Sequence, residues 1–243
     1  MARFRIFSDL HSEFHRDGGD SFVAALPEVA CDAVILAGDI GDSATTFPFL
    51  EKLCARFRDV PVLYVPGNHE HYHSSIPELR AALTEAAAKE AFRNLVYLDN
   101  TVVEVAGVRV AGTTLWFPDD PLNVVYKRRL SDFRLIQDLQ ATVYEENRQA
   151  QVFIASAKAD VVVTHHLPCE AAVAPQWRGS ELNRFFVGGD DALVAASRAK
   201  VWVFGHTHNP MDFEHMGVRL VANPFGYPFE SKSKYRNDLL VTV

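Results

Sequence analysis

The 243-residue sequence predicts an α/β domain built on a mixed sheet, or on two packed sheets, with its polar chemistry at strand ends. Three observations carry this. Short β-branched or apolar runs, each stopped by a polar or glycine-containing turn, alternate with stretches of helical spacing. In two places apolar runs follow one another too quickly for a helix to intervene. Aspartates, asparagines and histidines recur just past the ends of the runs.

Taken in order, Arg3–Ser8 reads as a buried strand, followed by the strand Ala33–Ala37, a helix over Thr45–Phe57, the strand Pro61–Val65 and a helix over Ile76–Ala91. Leu95–Thr114 carries strands in quick succession, turning at Ala106-Gly107. A long helix is predicted over Leu135–Lys158, the strand Asp160–Thr164 next, then a helix over Asp190–Ala199 and the strand Val201–Phe204. Met211–Val243 reads as further strands, turning at Met216-Gly217. Phe117–Arg134 and Leu167–Gly189 are irregular, and are expected to be loops over a site. With no linker, repeat or block of like charge, 1–243 reads as one domain with candidate lids at 117–134 and 167–189.

The composition, 48% hydrophobic and 23% charged, is that of a globular chain long enough to build a large core unaided. With 24 Lys and Arg against 31 Asp and Glu, the net charge of −7 argues against a protein that tracks a nucleic-acid backbone. Cys31, Cys54 and Cys169 are too widely spaced for a CxxC site, and their odd number does not suit a disulfide framework, so a reducing cytoplasm is expected. No uncharged run reaches the roughly 18 residues of a membrane helix, and the first residues meet Asp9 before a signal-like apolar region forms. Neither membrane insertion nor secretion is expected.

The runs end, in order, on Asp9-Leu10-His11, Gly38-Asp39-Ile40-Gly41-Asp42, Gly67-Asn68-His69-Glu70, His165-His166 and Gly205-His206-Thr207-His208. In open α/β sheets the carboxyl ends of strands line the ligand crevice, so five segments would deliver polar groups to one edge. Imidazole, carboxylate and amide oxygen without thiolate suit manganese, iron or zinc. Asp9 with His11, and His206 with His208, are i,i+2 pairs that share a side of an extended segment, and Asp39 is placed to bridge two cations.

This ordered set, DxH, GDxxD, GNHE, a histidine after an apolar strand and GHxH, resembles the calcineurin-like metallophosphoesterases from Asp9 to His208. The resemblance implies a four-layer α/β/β/α sandwich with two mixed sheets and two divalent metal ions at the strand ends. It implies that Asp9, His11, Asp39 and His208 bind one metal and Asp39, Asn68, His165 and His206 the other. By the same resemblance His69 is the catalytic acid and Asp42 its partner. Ser43 stands where the protein Ser/Thr phosphatase branch has an arginine, which sets the chain apart from that branch.

The expected activity is hydrolysis of a small phosphate ester by a metal-bridging hydroxide. A phosphodiesterase acting on cyclic nucleotides, nucleotide-sugar or lipid diesters, or nucleic-acid ends is the alternative, and a non-catalytic metal-binding scaffold the other. Two divalent cations would outweigh Asp9 and Asp39, so the overall −7 does not bar a small anion. Asp42 could equally cap the helix that follows it. His166, adjacent to an inward His165, is expected to pack behind it. Glu70, His71 and His73 are expected to cap or solvate their turn, His15 and His215 to be surface residues, Lys127–Arg129 a solvated helix face, and Trp116 and Trp177 packing residues.

Overall fold

The computed structural model describes residues 1–243, and each predicted apolar run becomes a strand whose alternate side chains enter two different cores. The strands are β1 (Arg3–Phe7), β2 (Ala33–Ala37), β3 (Val62–Val65), β4 (Leu95–Tyr97), β5 (Thr101–Val105), β6 (Val108–Gly112), β7 (Val161–Val163), β8 (Val201–Val203), β9 (Met211–His215), β10 (Val218–Ala222) and β11 (Leu240–Thr242). The helices are α1 (Asp20–Ala24), α2 (Thr46–Arg56), α3 (Ile76–Ala87), α4 (Asn123–Tyr126), α5 (Asp132–Leu135), α6 (Leu139–Ser156) and α7 (Asp191–Ser197).

One sheet runs β11-β1-β2-β3-β4, parallel except for β11. The other runs β5-β6-β7-β8-β10-β9, with β5 and β9 antiparallel at its edges. The period of two along each strand sorts the side chains into layers. Phe4, Ile6, Ile35, Leu63 and Val65 of the first sheet meet Val161, Val163, Val201 and Val203 of the second in a core between the sheets. Their neighbours Val34, Leu36 and Tyr64 face Phe49, Leu50 and Leu53 of α2 and Leu79 and Leu83 of α3. On the far side Val162, Trp202 and Leu220 lie under Ala150 and Ile154 of α6 and Leu193 and Val194 of α7. The layering is therefore α/β/β/α. Each fully buried aliphatic residue between the sheets contributes about 1.5–3 kcal/mol, and this contact fixes one set of strand ends against the other.

Helix ends depart from the sequence reading for local reasons. Helix α3 starts on a capping box, in which Ser75 Oγ accepts from Glu78 N and Glu78 Oε2 accepts from Ser75 N, but it stops at Ala87. Helix α6 begins at Leu139, not Leu135, because Asp138 takes a left-handed φ of 54° and the backbone of residues 135 and 137 pairs with His73 and Ser74. Both turns at Ala106-Gly107 and Met216-Gly217 have positive φ at each residue, as a two-residue hairpin requires. The C-terminal stretch differs most: after the β9–β10 hairpin, residues 223–239 cross the strand ends irregularly before β11 pairs with β1. Asn223 Nδ2 donates to Ile6 O, Phe225 N to Ser8 O and Gly226 N to Asp9 O, which ties this crossing to the end of β1. Trp116 is buried as expected, whereas Trp177 is exposed.

Candidate metal centre

Backbone geometry at the strand ends aims the predicted ligands inward. Asp9, His11, Asp39, His206 and His208 all adopt left-handed φ, between 49° and 64°, a costly conformation for such residues that clusters at functional sites. The turns brace one another: Asp9 N donates to Gly38 O, His11 N to Asp39 O and Gly205 N to His165 O. Gly38 and Gly67 allow this closeness, since a Cβ at Gly38 would strike the His165 ring and one at Gly67 the Asp39 carboxylate.

Two groups of donors result, sharing Asp39. Asp9, His11, Asp39 and His208 present one atom each within 4.8 Å of one another, and so do Asp39, His165 and His206. Asn68 Oδ1 joins the second group, 3.1 Å from His165 Nε2. The seven predicted ligands are thus brought together.

The hydrogen bonds around these donors fix which atom of each side chain points into the site. His11 Nδ1 lies 3.0 Å from Glu13 Oε1 and His208 Nδ1 2.8 Å from Glu230 Oε2, so each Nδ1 carries the proton. Their Nε2 atoms face each other at 3.1 Å. Burial would depress the pKa of His208, but Asp9 and Glu230 outweigh that and hold it at about 10, so without a metal its Nε2–H donates to His11, and a cation would take that proton's place. His165 Nδ1 donates to Ala37 O, and its Nε2 faces His206 Nδ1 at 3.2 Å and Asp39 Oδ2 at 3.4 Å. Asn68 Nδ2 donates to Asp132 Oδ1, which turns Oδ1 to the site. Each aspartate has one oxygen on a neighbouring backbone N–H, Asp9 Oδ1 on His206 N and Asp39 Oδ1 on His69 N, and Asp9 Oδ2 is buried without a partner. The nitrogen, carboxylate and amide oxygen set fits divalent cations.

His69 lies beside this centre with both nitrogens engaged. Nδ1 is 2.8 Å from Glu13 Oε1, and Nε2 faces Tyr227 OH at 3.2 Å and Asp39 Oδ2 at 4.0 Å. Burial would depress its pKa, but Asp39 and Glu13 outweigh that and hold it at about 9. Burial would likewise raise the pKa of Glu13, and the hydrogen bonds of His11 and His69 hold it at about 2. The expected partnership of Asp42 with His69 is corrected here. Asp42 Oδ1 accepts from Ala44 N, Thr45 N and Thr45 Oγ1, so it closes the turn before α2, and Glu13 holds His69.

Other expectations sort by burial. Glu70 is fully buried, and its carboxylate accepts from Asp39 N, Ile40 N, Gly67 N and Tyr64 OH, capping the turns that carry two ligands. His166 packs behind the site between Trp116 and His206, and burial followed by the charge of His165 pushes its pKa down to about 3. His15 is half-buried among Phe22, Phe49 and Phe225. The irregular segments touch the site through Asp132 on Asn68 and Phe186, whose ring stacks on His206 at 4.3 Å.

Glu13, Tyr227, Glu230, Asp132 and Tyr72, whose hydroxyl donates to Asp132 Oδ1 at 2.8 Å, escaped the sequence reading. Glu13 had a signal, lying two residues after His11 in a DxHxE pattern. Tyr227 and Glu230 had none, since tertiary contacts alone bring them in.

The calcineurin-like phosphoesterase family model matches residues 2–210. The chain belongs to that family. It is accordingly a metal-dependent phosphoesterase, and its His and Asp clusters are suited to divalent metals. Uncharacterized protein L509 of Acanthamoeba polyphaga mimivirus is 25% identical over 268 residues, covering 95% of this chain and 93% of its own length. In fold, the chain is similar to phosphopantetheinyl hydrolase from Mycobacterium tuberculosis, with TM-score 0.73 and 20% identity over 99% of this chain and 95% of that one. It is also similar to TT1561 of Thermus thermophilus, with TM-score 0.57 and 14% identity over 92% and 89% of the two chains. No helix is long and apolar enough to cross a membrane.

Proposed function

We propose that the protein hydrolyses small phosphate esters with two divalent cations, manganese, iron or zinc. Asp9, His11, Asp39 and His208 would hold one, and Asp39, Asn68, His165 and His206 the other. The observation that carries this reading is the convergence of two donor groups that share Asp39, with His11 and His208 each fixed at Nδ1 by a carboxylate so that their Nε2 atoms meet 3.1 Å apart. When bound, such cations make water a competent nucleophile at neutral pH and withdraw charge from the phosphoryl oxygens.

The chain's own groups do the rest. Glu13 holds His69 Nδ1 so that Nε2 faces the centre and can give a proton to the departing oxygen. The segments 117–134 and 167–189 are read as walls of the substrate cleft, through Asp132 and Phe186. A reducing cytoplasm suits three cysteines of which none forms a disulfide.

A specific observation favours diesters over monoesters. Two cations would bring four positive charges, which Glu13, Glu230, Asp9 and Asp39 offset, leaving the protonated His69 as the net charge of about +1 at the centre. No lysine or arginine pairs with any of these carboxylates. A monoanionic diester therefore matches the centre's net charge more closely than a dianionic monoester.

Rates on bis-p-nitrophenyl phosphate and p-nitrophenyl phosphate in manganese, with metal content measured by elemental analysis, test both statements. The expected result is two metals per chain and faster turnover of the diester. Preference for the monoester would reverse the second reading, and metal-loaded protein inert on both and on a panel of natural phosphoesters would point to the scaffold.

A further inference from the structure

A second cluster of metal-type donors is built from residues that the main centre does not use. Cys169 follows β7, Asp191 opens α7 and His215 closes β9, and one donor atom of each lies within 4.8 Å of the other two. His215 Nε2 is 2.8 Å from Asp191 Oδ1. The thiol is buried at the start of a single helical turn, Glu170–Ala172, close to the backbone N–H groups of Ala171 and Ala172. Burial, with the Asp191 carboxylate beside it, pushes the thiol pKa up to about 11 against the pull of those amides, so the thiolate that binds metals forms only as a cation takes the proton's place. An Asp–His ion pair at a strand end needs no thiol beside it, and a cysteine buried only to fill space needs no carboxylate. A surface recess of about 330 Å³, lined by Glu170, Gly189, Asp190, Asp191 and Ala192, opens alongside and leaves room for solvent.

We propose that Cys169 Sγ, Asp191 and His215 Nε2 form a separate binding site for a zinc-type divalent cation, with solvent as the fourth ligand. Sulfur, imidazole and carboxylate are the ligand types of tetrahedral zinc sites, and three protein donors leave one position open. The metal replaces the thiol proton, which passes to solvent, so thiolate and carboxylate balance the two charges of the cation. The small closing distance between His215 and Asp191 widens as the cation takes the place of their hydrogen bond.

Cobalt(II) distinguishes this site from the main centre, because the proposed donors there include no sulfur. Titration of the reduced, full-length protein should produce a sulfur-to-cobalt charge-transfer band in the near ultraviolet, saturating at one cobalt per chain and bleached by zinc. Cys169→Ser should abolish the band, and His215→Gln should weaken the cobalt affinity read from it by more than about tenfold. Asp39→Asn, which strikes the main centre, should leave the band intact. Absence of the band at saturating cobalt with Cys169 shown to be reduced, or its persistence in Cys169→Ser, would overturn the proposal. If Cys169→Ser does not fold, His215→Gln decides, and an unchanged band in that variant counts against the site.

Discussion

Asp39 and Tyr227 both approach His69, yet the sheet edge holds the first and a surface crossing holds the second. Asp39 sits in a left-handed turn, its N–H on Glu70 and its Oδ1 on His69 N, with Glu70 fully buried beneath. Tyr227 lies in the irregular stretch between β10 and β11, its N–H on Glu230, its carbonyl on Lys232 and its hydroxyl on His69 Nε2. Groups fixed by a strained, fully bonded backbone are preorganised, whereas loop-borne groups depend on contacts that relax when one is removed. Substitutions should therefore cost most where the backbone does the holding.

Asp39→Asn should have the largest effect, because Asp39 is the donor common to both groups. Elemental analysis after equilibrium dialysis should show metal affinity reduced by more than about a hundredfold in both half-sites, against one half-site for His11→Ala. Chelation extends the comparison, since the centre joins the strand ends of both sheets. Metal at a hundred times its Kd stabilises by about 2.7 kcal/mol, or roughly 5–11 °C in Tm for a domain of this size. An unchanged melting curve after verified metal removal would show that the strand-end turns hold themselves without cations.

His69→Ala comes next, and the readout is the leaving group. General acid catalysis is worth roughly 10² to 10⁴ in rate, so alkyl phosphoesters should slow by about that much with metal content unchanged. Nitrophenolate departs readily as an anion, so the loss on p-nitrophenyl esters should be much smaller. Equal losses on both, with chemistry rate-limiting, would remove His69 from the role of acid.

The same contrast explains what could be read in the sequence. The ligands were legible because each follows an apolar run that the period of two and the helical stretches define, and because the family resemblance spans these blocks. The layering followed from resemblance, and Val34 against Ile35 shows its cause, adjacent residues facing different cores. Asp42 misled because a carboxylate four residues before α2 serves equally as a turn cap, and only the distances to Thr45 and Ala44 decide. The C-terminal crossing was illegible, since its course is set by Asn223, Phe225 and Gly226 bonding to β1 more than 200 residues away.

Glu13→Gln probes a residue between the two extremes, on a short turn but bonded to both His11 and His69. Its charge helps raise the His69 pKa to about 9, so the acid form persists below that value and is lost as pH rises through it. Removing the charge lowers that pKa, and the alkaline limb of kcat/KM should move down by about one pH unit. Affinity at the His11 half-site should fall roughly tenfold. A limb that stays in place while metal affinity falls would confine Glu13 to orienting His11.

Tyr227→Phe should have the smallest effect and is the sharpest test of the loop's role. The ring packs 4.5 Å from those of His11 and His208, and phenylalanine keeps that contact while losing the hydroxyl on His69 Nε2. A hydrogen bond to the charged His69 ring contributes about 1.5–3 kcal/mol, so Tm should fall by only several degrees. Metal content should not change, because no proposed ligand is held by the hydroxyl. The hydroxyl shares the Nε2 atom from which the proton would leave, so substrate must compete with it or accept a proton alongside it. Competition predicts that Tyr227→Phe lowers KM with kcat nearly unchanged, since the free ring nitrogen no longer needs to be uncovered. A kcat loss approaching that of His69→Ala would instead make the tyrosine a partner in proton transfer, and would place a loop-borne group on a par with those of the sheet edge.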